Sequence, residues 1–424
     1  MIVLPGAALV LPDRILSPGT LVIEDGRIVE IRDDAPSGHP QSLFYGHYIV
    51  PGFIDVHVHG VDGIDSLDTG EAVASIAARL PRCGVTAFCP TTMACAPGQL
   101  KRVIDQVRTA RANPMSRSAR VLPVHLESNF INPEYRGAQP LACLRSPRDV
   151  VAAAGPSVAG APGRPGRNEE RSATASAERP DFDAVDIVRE IERGAPDVGI
   201  VTVAPELEGG VELVAWLAQH GHHVSLGHSA ATYDDALAAI AAGARQATHL
   251  FNRMPPLGHR APGLAGAVLQ TDEVAAEIIC DGFHVHPAVV RTAIAAKRPA
   301  RVMAITDGTA LSGLPVGSRA RLGDQTITAG ESAAVLDDGT IAGSTLTMDR
   351  AFQMLVSRIG LSVVDAATVC STTPARELGL VGHGMLAVDA AADVVVLDAN
   401  FSVVQTYVGG QLVYARELPH VTPV

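Results

Sequence analysis

The sequence predicts an α/β protein: a (β/α)8, TIM-like barrel joined to a small β-sandwich domain built from both termini. The middle of the chain alternates short apolar runs with helical patterns, which is typical of βα units. Both ends instead carry alternating runs around turn residues, which is typical of antiparallel hairpins. Since neither end has enough apolar surface to fold alone, we expect 1–50 and 378–424 to form one domain and 51–377 to form the barrel.

Eight apolar runs are the candidate barrel strands, and helical segments follow most of them. They end near His57, Pro90, Glu127, Ala204, Gly227, His249, Cys280 and Thr306. A stretch rich in Gly, Pro, Ser, Ala and Arg, 155–180, interrupts the alternation between the third and fourth strands, and there we expect a flexible surface insertion. In barrels of this kind the chemistry gathers at the carboxyl ends of the strands.

The β structure of the two ends is predicted from turn sequences. Asp25-Gly26 separates two alternating runs within 20–31, which is a strong signal for a two-residue hairpin turn. Near the C-terminus, an apolar run at 392–398 precedes a second hairpin pattern within 403–414. We therefore expect strands from both ends to share one β domain.

Composition excludes several classes of function. The 424 residues carry a formal net charge of −12, which argues against nonspecific nucleic-acid binding as the main role. No apolar run reaches the roughly 18 residues of a membrane-spanning helix. The six cysteines form no C-x-x-C pair, and the first residues lack the features of a secretion signal. We expect a cytoplasmic protein that acts on a small molecule, with neither a nucleic acid nor a membrane as its partner.

Six side chains that can bind a metal or transfer a proton fall at the predicted strand ends. They are His57, His59, Glu127, His228, His249 and Asp307. His57 and His59 are two apart in one strand, so their side chains point to the same side. Burying six polar side chains at one mouth of a barrel costs free energy unless each of them has a binding partner. A metal ion can be that partner, because imidazole and carboxylate groups are metal ligands. The pattern therefore predicts a metal site.

Several sequence blocks resemble, in order, those of the N-acetylglucosamine-6-phosphate deacetylases, a family of the amidohydrolase superfamily. The blocks are Pro51-Gly-Phe-Ile-Asp-Val-His-Val-His-Gly, His125-Leu-Glu, Phe130-Ile-Asn-Pro-Glu, Gly227-His-Ser-Ala-Ala-Thr-Tyr, Thr248-His-Leu-Phe-Asn-Arg-Met-Pro-Pro, Arg260-Ala-Pro-Gly-Leu, Asp281-Gly-Phe-His-Val-His, Thr306-Asp-Gly and Ala342-Gly-Ser-Thr-Leu-Thr-Met-Asp. The sequence does not fit the dihydroorotases, hydantoinases and ureases, which bridge two metals with a carbamylated lysine at the end of a barrel strand. The only two lysines of the chain, Lys101 and Lys297, lie at the ends of predicted helices. Glu127 instead matches the glutamate that the deacetylases use at that place.

The resemblance implies a metal-dependent mechanism. One divalent ion is expected on Glu127, His228 and His249, and a second on the two histidines of the first strand, His57 and His59. Zinc is the first expectation, and iron, cobalt and manganese stay open because all accept these ligands. Asp307 is expected to take a proton from the attacking water and to pass it to the leaving amine. His284 is expected to help stabilise the oxyanion.

The resemblance also implies substrate contacts. Asn252, Arg260 and His284 match family residues that hold the sugar and its 6-phosphate, and an arginine suits phosphate because its fork binds two oxygens. In relatives this arginine can come from the neighbouring subunit, which implies a homodimer. We add Ala138, Gln139 and Arg253 to the expected substrate-binding residues.

Three departures from the family pattern bear on the substrate. Ser128-Asn129 replaces Gly-Pro after Glu127, Gln139 replaces a histidine near the sugar hydroxyls, and Arg253 replaces an alanine beside the phosphate loop. Arg253 can add a phosphate contact or fill the space and select another ligand. The predicted metal ligands and Asp307 are unaffected.

The resulting prediction is metal-dependent hydrolysis of the N-acetyl group of N-acetylglucosamine 6-phosphate to glucosamine 6-phosphate and acetate. One alternative keeps this chemistry but acts on a different or unphosphorylated N-acyl amino sugar, or on another amide. A second alternative, of another class, is a non-catalytic sugar-binding paralogue, which the loss of a metal ligand or of Asp307 would favour.

Overall fold

The computed structural model describes residues 1–33, 44–154, 181–331 and 333–417, so the predicted insertion at 155–180 lies outside the described residues. The strands are β1 (Ile2–Val10), β2 (Ile15–Glu24), β3 (Arg27–Asp33), β4 (Tyr48–Pro51), β5 (Phe53–Val58), β6 (Gly60–Val61), β7 (Ile64–Asp65), β8 (Val85–Thr92), β9 (Arg120–Val121), β10 (Val124–Leu126), β11 (Val198–Val203), β12 (His223–Leu226), β13 (Gln246–Ala247), β14 (Ala275–Ile279), β15 (Val302–Ile305), β16 (Arg319–Leu322), β17 (Gln325–Ala329), β18 (Ala334–Leu336), β19 (Val394–Leu397), β20 (Val403–Val408) and β21 (Gln411–Ala415). The α-helices are α1 (Ala72–Arg79), α2 (Pro97–Ala112), α3 (Pro147–Ala154), α4 (Ala184–Gly194), α5 (Gly210–Gln219), α6 (Tyr233–Ala242), α7 (Gly263–Gln270), α8 (Pro287–Lys297), α9 (Met348–Met354), α10 (Val363–Ala367) and α11 (Thr373–Glu377).

The barrel prediction is confirmed by a sheet of eight parallel strands in the order β15-β14-β13-β12-β11-β10-β8-β5. Each strand ends within two residues of the position that the sequence predicted. At the seam between the last and first strands, the Asp307 amide donates to the His57 carbonyl oxygen at 3.1 Å. A bridge between Val58 and Gly308 continues this contact. The carboxyl ends of all eight strands therefore meet at one mouth.

The prediction that strands from both termini share one β structure is confirmed by a continuous seven-stranded sheet in the order β21-β20-β19-β4-β1-β2-β3. Asp25 and Gly26 form the two-residue turn between β2 and β3, with φ values of 48° and 79°. A turn with positive φ at both central residues has a backbone twist that matches the right-handed twist of the flanking strands. Gly409 and Gly410 make the corresponding turn between β20 and β21, with φ values of 53° and 73°.

A three-stranded antiparallel sheet, β16-β17-β18, follows the last barrel strand and was not predicted from the sequence. Its apolar side has its own small buried cluster, which includes Met93, Leu311 and Ile327. The sheet matters for function because Leu322, at the end of β16, reaches the mouth of the barrel. In the part of the chain that the structure covers, no helix has the length and apolar character to cross a membrane.

The barrel and the terminal sheet are joined by a buried carboxylate, Asp393, which lies directly before β19. Asp393 accepts hydrogen bonds from the Arg120 guanidinium at 3.1 and 3.2 Å and from the Gly409 amide at 2.7 Å. His383 Nδ1 lies 2.8 Å from its other oxygen. Because the carboxylate is only 5% exposed, replacing one of its oxygens by an amide NH2 group removes the charge and places a donor against these donors.

We expect Asp393→Asn to lower the free energy of unfolding by about 1–3 kcal/mol at neutral pH, measured by urea unfolding at an unchanged m value. Burial raises the pKa of Asp393, but the His383 and Arg120 hydrogen bonds outweigh burial and hold that pKa below its usual range. Its stabilisation is therefore complete above the unfolded-state pKa of about 3.9 and is lost as the pH falls further. A difference between wild type and variant that stayed constant down to about pH 3 would contradict this account.

Candidate active site

A cavity of about 440 Å³ opens at the carboxyl ends of the barrel strands. The ionisable residues His59, Glu127, His228, His249, His284 and Asp307 form much of its lining. Met93, Met254, Leu322 and Ile341 add apolar surface to the same cavity. This combination of a polar cluster and apolar walls is typical of a site for a small molecule.

Glu127 lies at the centre of the polar cluster. Its Oε1 is 2.7 Å from His228 Nε2 and 2.8 Å from His249 Nε2. The two imidazole nitrogens are themselves only 3.0 Å apart. One oxygen and two nitrogens thus face a common point and could hold one metal ion.

A second group of ligand atoms lies beside the other oxygen of Glu127. His59 Nε2 is 3.3 Å from Glu127 Oε2 and 3.3 Å from Asp307 Oδ1. His57 Nε2 is 3.3 Å from His59 Nε2 and 3.4 Å from Asp307 Oδ1. His57, His59 and Glu127 also could hold an ion, so the structure brings all six predicted side chains together.

Three of these residues follow their strands in a strained backbone conformation. His228, His249 and Asp307 each lie two residues past the end of a barrel strand, with φ values of 48°, 29° and 48°. Positive φ in a non-glycine residue costs of order 1–3 kcal/mol and persists where the surroundings demand it, as at functional sites. The repeated turn indicates that the strand ends are shaped to present these side chains.

The hydrogen-bond pattern of the cluster fits a bound cation. His228 Nδ1 lies 2.8 Å from the Tyr135 carbonyl oxygen, which can only accept, so the ring proton is on Nδ1. His228 Nε2 then lies 2.7 Å from Glu127 Oε1, so either a ring proton or a bound cation must lie between these two atoms. Imidazole nitrogens with carboxylate oxygens are the donor set of a divalent transition-metal ion.

Charge in the cluster leads to the same conclusion. Burial lowers the pKa of His59, but hydrogen bonds to Asp307 and Glu127 outweigh burial and raise it to about 10. Burial raises the pKa of Glu127, but the charge and hydrogen bond of His228 hold it well below its usual range. The carboxylates therefore stay ionised and attract positive charge.

Two buried residues below the cluster were missed by the sequence analysis as site residues. Glu277, on β14, is fully buried, and its Oε2 lies 3.0 Å from His57 Nδ1. His125 is neutral because burial lowers its pKa to about 4, and its ring bridges the Val56 carbonyl oxygen and the Thr202 hydroxyl, both at 3.0 Å. A single glutamate within the apolar run 275–279 was the available signal for Glu277.

Most of the expected substrate contacts line the cavity. Those that do are Ala138, Gln139, Asn252, Arg253 and His284. Arg260 does not line it and is exposed on its own chain. His284 Nδ1 is 2.6 Å from Asp281 Oδ2, whereas its buried Nε2 has no hydrogen-bond partner among the described residues.

The departures from the family pattern differ in their relation to the cavity. Ser128 and Asn129 bond to backbone carbonyls, Ser128 to Thr202 and Asn129 to Cys95 and Cys143 at 2.8 and 2.7 Å. Neither of the two lines the cavity. Gln139 does line it, but its amide already donates to Glu127 Oε2 and accepts from the Ala94 amide at 2.7 Å.

Comparison with known proteins gives a consistent result. The amidohydrolase family model matches residues 48–413. The N-acetylglucosamine-6-phosphate deacetylases of Rattus norvegicus and Homo sapiens are each 35% identical over 95% of this chain and 90% of their own. The deacetylase of Bacillus subtilis is 30% identical over 96% of both chains.

Solved structures agree with the sequence relatives. A variant of the Mycobacterium smegmatis deacetylase, in complex with N-acetyl-D-glucosamine-6-phosphate, has a TM-score of 0.81 and 30% identity, covering 97% of this chain and 99% of its own. The Thermotoga maritima deacetylase has a TM-score of 0.80 and 28% identity, covering 98% and 100%. The chain thus belongs to the amidohydrolase family and, within it, to the N-acetylglucosamine-6-phosphate deacetylases.

Proposed function

We propose that this amidohydrolase removes the acetyl group of N-acetylglucosamine 6-phosphate, giving glucosamine 6-phosphate and acetate. The observation that carries the proposal is the Asp307 carboxylate, which shares one cavity with the Glu127–His228–His249 cluster. The similarity of the chain to N-acetylglucosamine-6-phosphate deacetylases supports the choice of substrate. All six cysteines are free, which supports a reducing compartment such as the cytoplasm.

The proposed cofactor is one or two divalent metal ions. Glu127, His228 and His249 would hold one ion, and His57 and His59 would hold a second. The ligand set suits zinc best, while iron, cobalt and manganese accept the same atoms. When bound, such an ion supplies a water of lowered pKa and polarises the amide carbonyl of the substrate.

Asp307 is the proposed proton carrier. Burial raises its pKa, but the His59 hydrogen bond and the charges of His57 and His59 outweigh burial and hold that pKa below its usual range. The carboxylate is therefore ionised and ready to take a proton from the attacking water. The same group then returns the proton to the amine nitrogen as the carbon–nitrogen bond breaks.

His284 is the proposed second polar catalyst. Burial lowers its pKa, but the hydrogen bond to Asp281 outweighs burial and raises that pKa, so the ring favours its charged form. Its Nε2–H then projects from the cavity wall without a partner among the described residues. A donor in that position can stabilise negative charge that develops on the carbonyl oxygen.

The sugar and its phosphate would be held by the cavity side chains, principally Asn252 and Arg253. Arg253 approaches the chain so closely that a Cβ on Gly137, which has a φ of 59°, would lie 2.6 Å from its Nε. Arg260 lies outside this lining, so we propose a homodimer in which Arg260 reaches the cavity of the partner subunit. Such an exchange makes each site depend on both chains.

We expect Asp307→Asn to lower kcat by about 10²–10⁴-fold while the metal content of the purified protein stays unchanged, because the amide cannot take a proton. Acetate release and elemental analysis measure the two quantities. Asp62→Asn is the control for a carboxylate outside the cluster, because Asp62 is paired with Arg82 and does not line the cavity, and it should lower kcat far less. Wild-type turnover in the Asp307 variant would show that the base is assigned wrongly.

Removal of the metal should lower both activity and stability. We expect the thermal midpoint to fall on dialysis against a chelator and to recover with added divalent ion, rising with its concentration, because the ion binds the folded state. The His228→Ala variant, in which the cluster around Glu127 is incomplete, should show a smaller recovery. A midpoint in the wild type that does not respond to chelator or ion would contradict the metal assignment.

A panel of phosphorylated and plain N-acyl amino sugars tests the substrate. We expect Arg253→Ala to lower kcat/KM for the 6-phosphate by about 10–100-fold, which corresponds to one lost charge-assisted hydrogen bond, and to spare the plain sugar. The exposed Arg148, outside the cavity, provides the matched control Arg148→Ala. Equal or better wild-type turnover of the plain sugar would favour the unphosphorylated alternative. No hydrolysis of any member by metal-replete protein would favour the non-catalytic paralogue.

Mixing two impaired variants tests whether Arg260 acts in the site of the partner subunit. Arg260→Ala and Asp307→Asn should each be weakly active alone. Co-refolded in equal amounts, they should recover about a quarter of wild-type activity, because half of the dimers are mixed and each mixed dimer has one intact site. Activity no higher than the mean of the two variants would show that Arg260 does not act across an interface.

A further inference from the structure

The buried Glu277 carboxylate contacts two of the candidate metal ligands, His57 and His249, from the barrel interior. The proposed reaction does not explain the role of this carboxylate. We propose that Glu277 is a positioning residue: it fixes the ring proton of His57 on Nδ1 and the backbone of His249, and it thereby supports the ion on His57 and His59. This inference rests on the metal centre proposed above. It concerns this chain's own glutamate, which touches neither substrate nor the reacting atoms.

Glu277 is positioned to act on two predicted ligands at once. Its Oε2 lies 3.0 Å from His57 Nδ1 and accepts a hydrogen bond from the His249 backbone amide at 3.3 Å. Its Oε1 accepts from the Gln246 side-chain amide. Every one of these partners offers a proton to the carboxylate, so the contacts are those of an ionised acceptor.

The contact with His57 determines which ring nitrogen faces His59 and Asp307 with a lone pair. A neutral imidazole carries one N–H, and a carboxylate at Nδ1 holds it there. His57 Nε2 is then free to act as a ligand where it meets His59 Nε2 at 3.3 Å and Asp307 Oδ1 at 3.4 Å. Without the carboxylate the proton can move to Nε2, which then cannot bind a metal.

The contact with His249 is made through its backbone. His249 has a strained φ of 29°, and its amide points to Glu277 Oε2. The neighbouring Leu250 amide donates to the Glu277 carbonyl oxygen at 2.8 Å, which ties the same turn to β14. One residue therefore links ligands from both halves of the cluster.

The four predicted histidine ligands differ in this respect. Within the described part of the chain, Nδ1 of His59 and of His249 has no hydrogen-bond partner, and His228 Nδ1 meets a neutral carbonyl. His57 meets a full negative charge instead. Because a carboxylate partner makes an imidazole a stronger ligand, the effect of Glu277 should fall mainly on the ion at His57 and His59.

The test is metal binding by Glu277→Gln, which keeps the size of the side chain and removes its charge. The protein is loaded with Co²⁺ and equilibrated with chelator buffers of falling free-ion concentration, and the ions per chain are counted by elemental analysis. We expect one ion to dissociate at about 10–100-fold higher free Co²⁺ than in the wild type, while the other stays bound. The visible spectrum of the more weakly held Co²⁺ should change with it.

Ser225→Ala is the matched control, since it removes another buried hydrogen bond of the barrel interior, to Thr248 at 2.6 Å, without a contact to His57. It should bind both ions as the wild type does even if its thermal midpoint is lower. Glu277→Asp, which keeps the charge but withdraws it by one methylene, should bind the second ion with intermediate affinity. Should Glu277→Gln prove unfolded, this aspartate variant decides the question.

Wild-type affinity for both ions in Glu277→Gln would overturn the proposal, and so would an equal weakening of both. A wild-type protein that binds only one ion would also overturn it, because no ion at His57 and His59 would exist for Glu277 to support. The measurement uses no substrate. Failure of the proposed deacetylation would appear in the sugar panel and would leave the metal-binding result intact.

Discussion

The Glu127 carboxylate is the group on which the rest of the site depends. Its Oε1 faces His228 and His249, and its Oε2 faces His59 and accepts from Gln139. A buried carboxylate is expensive unless positive charge lies beside it, either on the neighbouring imidazoles or on a bound cation. Glu127 therefore attracts positive charge, and it joins the two groups of candidate ligands through a single side chain.

The barrel makes this crowding possible. Parallel strands end at one mouth, so side chains at the ends of β5, β10, β12, β13 and β15 meet although they are far apart in the sequence. His228, His249 and Asp307 repeat the same left-handed step two residues past their strands. The free energy of three strained residues is small beside that of a packed barrel core, so rigid strands can hold them.

Residues that act within one strand or at a strand end could be predicted from the sequence, because spacing alone fixes their direction. His57 and His59 are an example, whereas the eight strand ends were predicted from the ends of short apolar runs. The role of Glu277 could not be predicted from spacing, because its partner His57 is 220 positions away in the sequence and only the closed barrel brings the two side chains together. The sheet β16–β18 was missed because its strands are short and mostly half-exposed.

Specificity follows from where the departures from the family pattern lie. Ser128 and Asn129 are buried, and their side chains donate hydrogen bonds to backbone carbonyl oxygens. They therefore change the packing beside the cavity and not the groups that line it. Gln139 is held by Glu127 and by the Ala94 amide, so its side chain stabilises the ligand cluster more than it offers hydrogen bonds to a sugar. Arg253 is different, because its guanidinium lines the cavity and bonds only weakly to the Ile341 carbonyl oxygen at 3.4 Å. A cation that is free to turn toward an anionic ligand, in a chain of net negative charge, supports the proposal that the cavity holds a phosphate.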